Sequence, residues 1–77
     1  MAQYTTCLIK QEYDRTKMKI YYDAFWCGQK IYTSYDELYT ITETILNHLD
    51  EQGWELKQTV SEKNFEKLIL IFTKKSR

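Results

Sequence analysis

Between Ser34 and Gly53 the apolar residues recur at helical spacing, and no other stretch of the sequence repeats in that way. At about 100° per residue, Leu38, Ile41, Thr42, Ile45 and Leu49 fall on one stripe with Leu46 at its edge. Asp36, Glu43, Thr44, Asn47, Asp50 and Glu51 fall on the other side. Ser34 followed by Glu37 fits a capping box, in which hydroxyl and carboxylate each satisfy an orphan amide, so the helix is predicted to begin near Tyr35. It is expected to end at Gln52, because Gly53 then takes a positive φ without a Cβ clash and lets amides close back on the last carbonyls. One amphipathic helix buries one face of a sheet and leaves the other without a layer.

The remaining segments have strand character. Tyr4 to Tyr13 is rich in threonine, tyrosine and branched residues, and Asp14, Arg15 and Thr16 supply a turn. Lys17 to Trp26 alternates, with Met18, Ile20, Tyr22, Ala24 and Trp26 on one face and Lys17, Lys19, Tyr21, Asp23 and Phe25 on the other. Gly28 marks a break, and Lys30 to Thr33 is either a short third strand or an extended approach to the helix. Beyond Gly53, Trp54, Leu56, Gln58 and Val60 alternate with Glu55, Lys57 and Thr59. Ser61 to Asn64 reads as a hairpin loop and Phe65 to Lys74 as the last strand. The order β-β-(β)-α-β-β predicts a single α+β domain over residues 1–77, an antiparallel sheet of three to five strands with one helix on one face.

A chain of 77 residues removes only about 60% of its unfolded surface from water, so association with a second copy or a partner is the expected source of added stability. Eleven basic residues cancel eleven acidic ones. The field of the whole molecule therefore attracts neither extended nucleic acid nor an anionic membrane, and any contact with a polyanion must be local. MAQYTTCLIK lacks the features of a signal peptide, and Leu68 to Phe72 is far too short to span a bilayer. Cys7 and Cys27 have no C-x-x-C spacing and read as reduced thiols, which implies a cytoplasmic protein.

The inventory for catalysis is thin. His48 lies at the margin of the helix's polar face with no recognisable nucleophile partner, and reads as a solvated residue. Two cysteines and one histidine at these spacings match no common zinc pattern, and two glycines cannot build a phosphate-binding loop. Asp36, Glu37, Glu43, Asp50 and Glu51 sit where a solvated helix face puts them, and Glu55 suits a cross-strand salt bridge with a lysine. The expectation is a protein without enzymatic activity, metal or cofactor.

Aromatic residues are more informative. Seven tyrosines, at 4, 13, 21, 22, 32, 35 and 39, lie in the first half beside Phe25 and Trp26. The helix-covered face accounts for Met18, Ile20, Tyr22, Trp54, Leu56, Val60, Leu68, Leu70 and Phe72. LILIF is apolar on both faces, a pattern typical of strands between two layers, so Ile69 and Ile71 are expected on the uncovered face with Tyr21 and Phe25. Lys19, Lys57 and Lys67 are expected to share it. Three uses follow. The face packs on a second copy, giving a homodimer. It, or a free sheet edge, captures another protein with tyrosines as rigid anchors, as an inhibitor or adaptor would. Or Tyr21 or Phe25 stacks on a base with lysines near phosphates, sequestering a nucleotide or cyclic nucleotide in a groove between subunits.

The run LNHLDEQGWEL resembles a family of small uncharacterised proteins of bacteria and phages that share Leu-Asn-x-Leu-Gly-x-x-Gly-Trp-Glu-Leu-Val. Leu46, Asn47, Leu49, Gly53, Trp54, Glu55 and Leu56 match. Asp50 stands where the family has its first glycine, and Lys57 where it often has valine. The resemblance implies a helix, turn and strand in a compact β-α-β-β type of fold and brings no catalytic residues. With the small size, it suits a phage-encoded or bacterial accessory protein.

Overall fold

A computed structural model describes residues 3–35, 37–62 and 66–75. Five strands and one helix follow in the order β1 Tyr4–Asp14, β2 Lys19–Trp26, β3 Gln29–Ser34, α1 Leu38–Glu51, β4 Trp54–Glu62 and β5 Lys67–Lys74. They form one antiparallel sheet ordered β3-β2-β1-β5-β4. The α+β class and element order expected from the sequence are those observed, and residues 29–34 are a true strand. The first and last strands are neighbours at the centre of the sheet. The helix connects strands on its two edges and so must cross it.

That crossing makes the core. Ile41, Ile45 and Leu49 of the helix are buried against Cys7 and Ile9 of β1, Ala24 of β2, and Leu68, Leu70 and Phe72 of β5. Tyr22, Trp26, Ile31, Leu38, Leu46 and Trp54 close its margins. Trp26 donates its indole hydrogen bond to Thr5 Oγ1 at 2.9 Å, and His48 meets its ring edge-on at 6.0 Å. Fourteen helical residues span about 21 Å, close to the width of five strands at ~4.8 Å spacing, whereas the eleven residues of β1 reach about 35 Å. The molecule is accordingly elongated, 46 × 23 × 21 Å, and the β1–β2 hairpin outruns the helix.

At its C-terminal end the helix stops as the glycine predicts. Gly53 has φ +91°, and its amide donates to Asp50 O at 3.0 Å. Two cations reinforce this end: Lys74 donates to Gln52 O at 3.3 Å while lying 4.8 Å from the centre of the Trp54 ring, and Lys75 pairs with Asp50. Both complement the negative end of the helix dipole.

Several local expectations are corrected. Ser34 does not cap the helix. It ends β3 opposite Tyr22 and is buried, the helix starts at Leu38, and the N-cap Glu37 makes no side-chain cap bond. Met18 is not a residue of β2 but sits in the β1–β2 turn at φ +57°. That turn is organised by Asp14, whose Oδ1 accepts amide bonds from Thr16 at 2.9 Å and Lys17 at 3.1 Å. Cys27 and Gly28, both at positive φ, form the two-residue turn into β3, a geometry that matches the twist of the flanking strands. In β4 the register shifts between Leu56 and Gln58, so Leu56 stays on the helix side opposite Phe72 while Gln58 and Val60 turn to the other face, opposite Ile71 and Ile69. Glu55 faces Thr73, not a lysine. Of the predicted hairpin loop, Ser61 and Glu62 belong to β4. Residues 63–65, including the Phe65 expected to open the last strand, and Asp36 lie outside the described residues.

Two substitutions test this account. Gly53→Ala should cost about 1 kcal/mol in urea unfolding, because a side chain is strained at that φ, and a Cβ there would also lie 3.4 Å from Lys74 Nζ. Leu49→Ala, emptying a site with no solvent exposure, should cost about 3 kcal/mol.

Candidate functional site: the open face of the sheet

The face away from the helix is built in cross-strand rows. In one row Phe25 of β2 pairs with Leu8 of β1, Leu8 with Ile69 of β5, and Ile69 with Val60 of β4. All four are half-buried, since the rings and branched chains shield one another. Ile71 lies beside this row, between Thr6 and Gln58. No described element lies over the row, which is therefore an apolar band four strands wide.

The adjoining row is charged. Asp23 pairs with Lys10, Lys10 with Lys67, and Lys67 with Glu62. Asp23 is only 6% exposed, and its carboxylate is held by the Thr33 hydroxyl at 2.7 Å and by Lys30 at 3.9 Å. Lys10 lies 3.8 Å from Glu12. Two lysines directly opposite one another would repel, and a carboxylate at each end of the row offsets that repulsion.

Further along, Tyr21 meets Tyr35 with ring centres 5.3 Å apart, and Lys17 Nζ stands 4.6 Å over the Tyr35 ring. Tyr35 donates a hydrogen bond to Asp14 Oδ2 at 2.7 Å. The approach to the helix is thereby fastened to the hairpin turn. Burial, then the carboxylates of Asp23, Glu12 and Asp14, raise the Tyr21 phenol above its ordinary pKa.

Of the residues predicted from sequence, Lys19, Tyr21, Phe25, Lys67, Ile69 and Ile71 share this face through strand alternation. Lys57 does not join the row: it is the extra residue of the β4 bulge, exposed and without a cross-strand partner. Leu8, Lys10 and Val60 are members that sequence reading missed. Leu8 and Lys10 follow from carrying the alternation of LILIF across to β1, whereas Val60 depends on the bulge and has no sequence signal.

Elsewhere, burial pushes the Cys7 thiol up to about 11, so it stays protonated within the core, and Cys27 is exposed in its turn. Among the described residues, histidine, cysteine, aspartate and glutamate side chains do not gather in threes at metal-binding distance. No helix among them is long and apolar enough to cross a membrane.

The Tyr35–Asp14 bond has a pH signature. The Tyr35 hydrogen bond, then the Lys17 amide, hold the Asp14 carboxyl below the usual range. The same bond, then burial, holds the Tyr35 phenol above its usual range. A lowered carboxyl contributes stability above its unfolded value of about 4 and loses it as pH falls further; a raised phenol contributes below about 10 and loses it as pH rises. Tyr35→Phe should therefore narrow its stability deficit at both pH extremes, measured by urea midpoints across the range. Parallel profiles for the two proteins would remove this bond from the account. In comparisons with family models, curated proteins and solved structures the chain has no match.

Proposed function

We propose that this chain is a non-enzymatic binding protein, homodimeric through the open face of its sheet, that acts by occupying a protein partner as an inhibitor or adaptor would. The observation that carries this reading is the Phe25–Leu8–Ile69–Val60 row, an apolar band with no covering layer among the described residues. Bands of this kind mark association surfaces.

Both sheet edges are poor templates for an added strand. β3 is interrupted by a register shift opposite Ala24 and Phe25 and carries Lys30. β4 is bulged at Lys57 and carries Glu55 and Glu62. Bulges and charges blunt an edge, which leaves the face as the better surface. Five strands at ~4.8 Å spacing and about five residues of shared length offer on the order of 500 Å² per protomer, near the lower limit for a specific interface. The dimer is accordingly concentration-dependent.

Nucleotide sequestration, the alternative, draws less support. Tyr21 already packs on Tyr35, and the carboxylates of Asp23, Glu12 and Asp14 that raise its pKa would repel a phosphate. Sedimentation at increasing concentration should show dimer formation. Ile69→Lys should abolish it while leaving the helical circular dichroism intact, and an unchanged mass for the variant would exclude this face. A thermal-shift screen with mono-, di- and cyclic nucleotides should be flat; a concentration-dependent rise in melting temperature would favour the alternative instead.

A further inference from the structure

The β1–β2 hairpin outruns the helix, and its end carries apolar residues that no described element covers. Met18 is 73% exposed, Tyr13 53% and Ile20 46%. They are contiguous: Tyr13 pairs across the strands with Ile20, and its hydroxyl lies 3.6 Å from Met18 Sδ. They face the helix side of the ribbon, away from the Phe25–Leu8–Ile69–Val60 row, so covering that row leaves them free. Arg15 and Lys17 of the turn and Lys19, all exposed, lie within five residues of them. Lys19 is directed to the other side of the ribbon, opposite Asp14, and Lys17 Nζ stands over the Tyr35 ring. The one acid among residues 13–20, Asp14, accepts hydrogen bonds from the Tyr35 hydroxyl and two backbone amides, which favour its charged form, and lies opposite Lys19. Three cations against one acid over residues 13–20 leave a net charge of +2, so the balance of eleven charges of each sign hides a cationic, apolar extremity.

Met18 supplies a second, independent observation. Its φ of +57° is a conformation that glycine or asparagine adopts at less cost. A large apolar side chain is thus kept in water at a strained position, a combination that packing does not explain and that points to a use outside the fold.

We propose that this hairpin tip docks on the surface of an anionic bilayer, with Met18, Ile20 and Tyr13 entering the headgroup boundary and Arg15, Lys17 and Lys19 meeting the lipid charges. A convex apolar tip with a cationic collar requires no matching groove from a fluid lipid surface, and tyrosine is at home at that boundary. Nucleic acid would use the cations and leave the aliphatic tip in water. The expectation of no membrane contact followed from net charge over the whole chain and does not extend to a local cluster.

Flotation of the full-length protein with vesicles decides the matter, using a zwitterionic lipid alone and the same lipid with about one-third phosphatidylserine. Binding is expected only to the second. Arg15→Gln with Lys19→Gln should weaken it roughly fivefold for each charge removed. Met18→Gly should weaken it several-fold without lowering the melting temperature, because glycine suits the positive φ. No binding to the anionic vesicles overturns the proposal. Equal binding to poly-glutamate or a DNA duplex, indifferent to Met18→Gly, overturns it as well by assigning the tip to a soluble polyanion.

Discussion

The contact of Ile41, Ile45 and Leu49 with Cys7, Ile9, Leu70 and Phe72 is the interaction on which the rest of this small protein depends. It joins the helix to the two central strands, and the helix in turn links the two edges. Because, among the described residues, one helix supplies the second layer, burial on one side of the sheet leaves the other side without a cover. The open face and the exposed apolar end of the hairpin are both consequences of having one helix of limited length against longer strands.

Much of this was readable from residue types alone. The helix's apolar stripe, the glycine that ends it, the alternation of β2 and the doubly apolar β5 each reflect a local rule that tertiary structure does not override. Ser34 failed as a cap because a strand pairing claimed it first: opposite Tyr22 it is buried in β3, and a residue cannot both finish a strand and open a helix four positions on. Met18 followed the alternation of β2 in sequence, yet a turn organised by Asp14 took it out of the strand.

The candidate surface was legible to the extent that it obeys period two. Tyr21, Phe25, Ile69 and Ile71 obey it. Lys57 and Val60 were misplaced by the same event, a single extra residue in β4 that inverts the faces of everything after it. The Tyr21–Tyr35–Asp14 association was invisible because its members are brought together by a hairpin and a third strand, not by spacing. The buried state of Asp23 was missed for the same reason, since its partners Thr33 and Lys30 lie on the neighbouring strand.

The pairing of β1 with β5 at the middle of the sheet also shapes how the chain reaches this state. The strand made first cannot complete its hydrogen bonding until the strand made last is available, so the decisive contact closes a loop that contains nearly every other element. Such long-range closure is slow. Until it happens, the inner edge of β1 is an unpaired ribbon of Cys7, Leu8 and Ile9, and the growing polypeptide is most vulnerable to mispairing at the very place that later becomes its most protected.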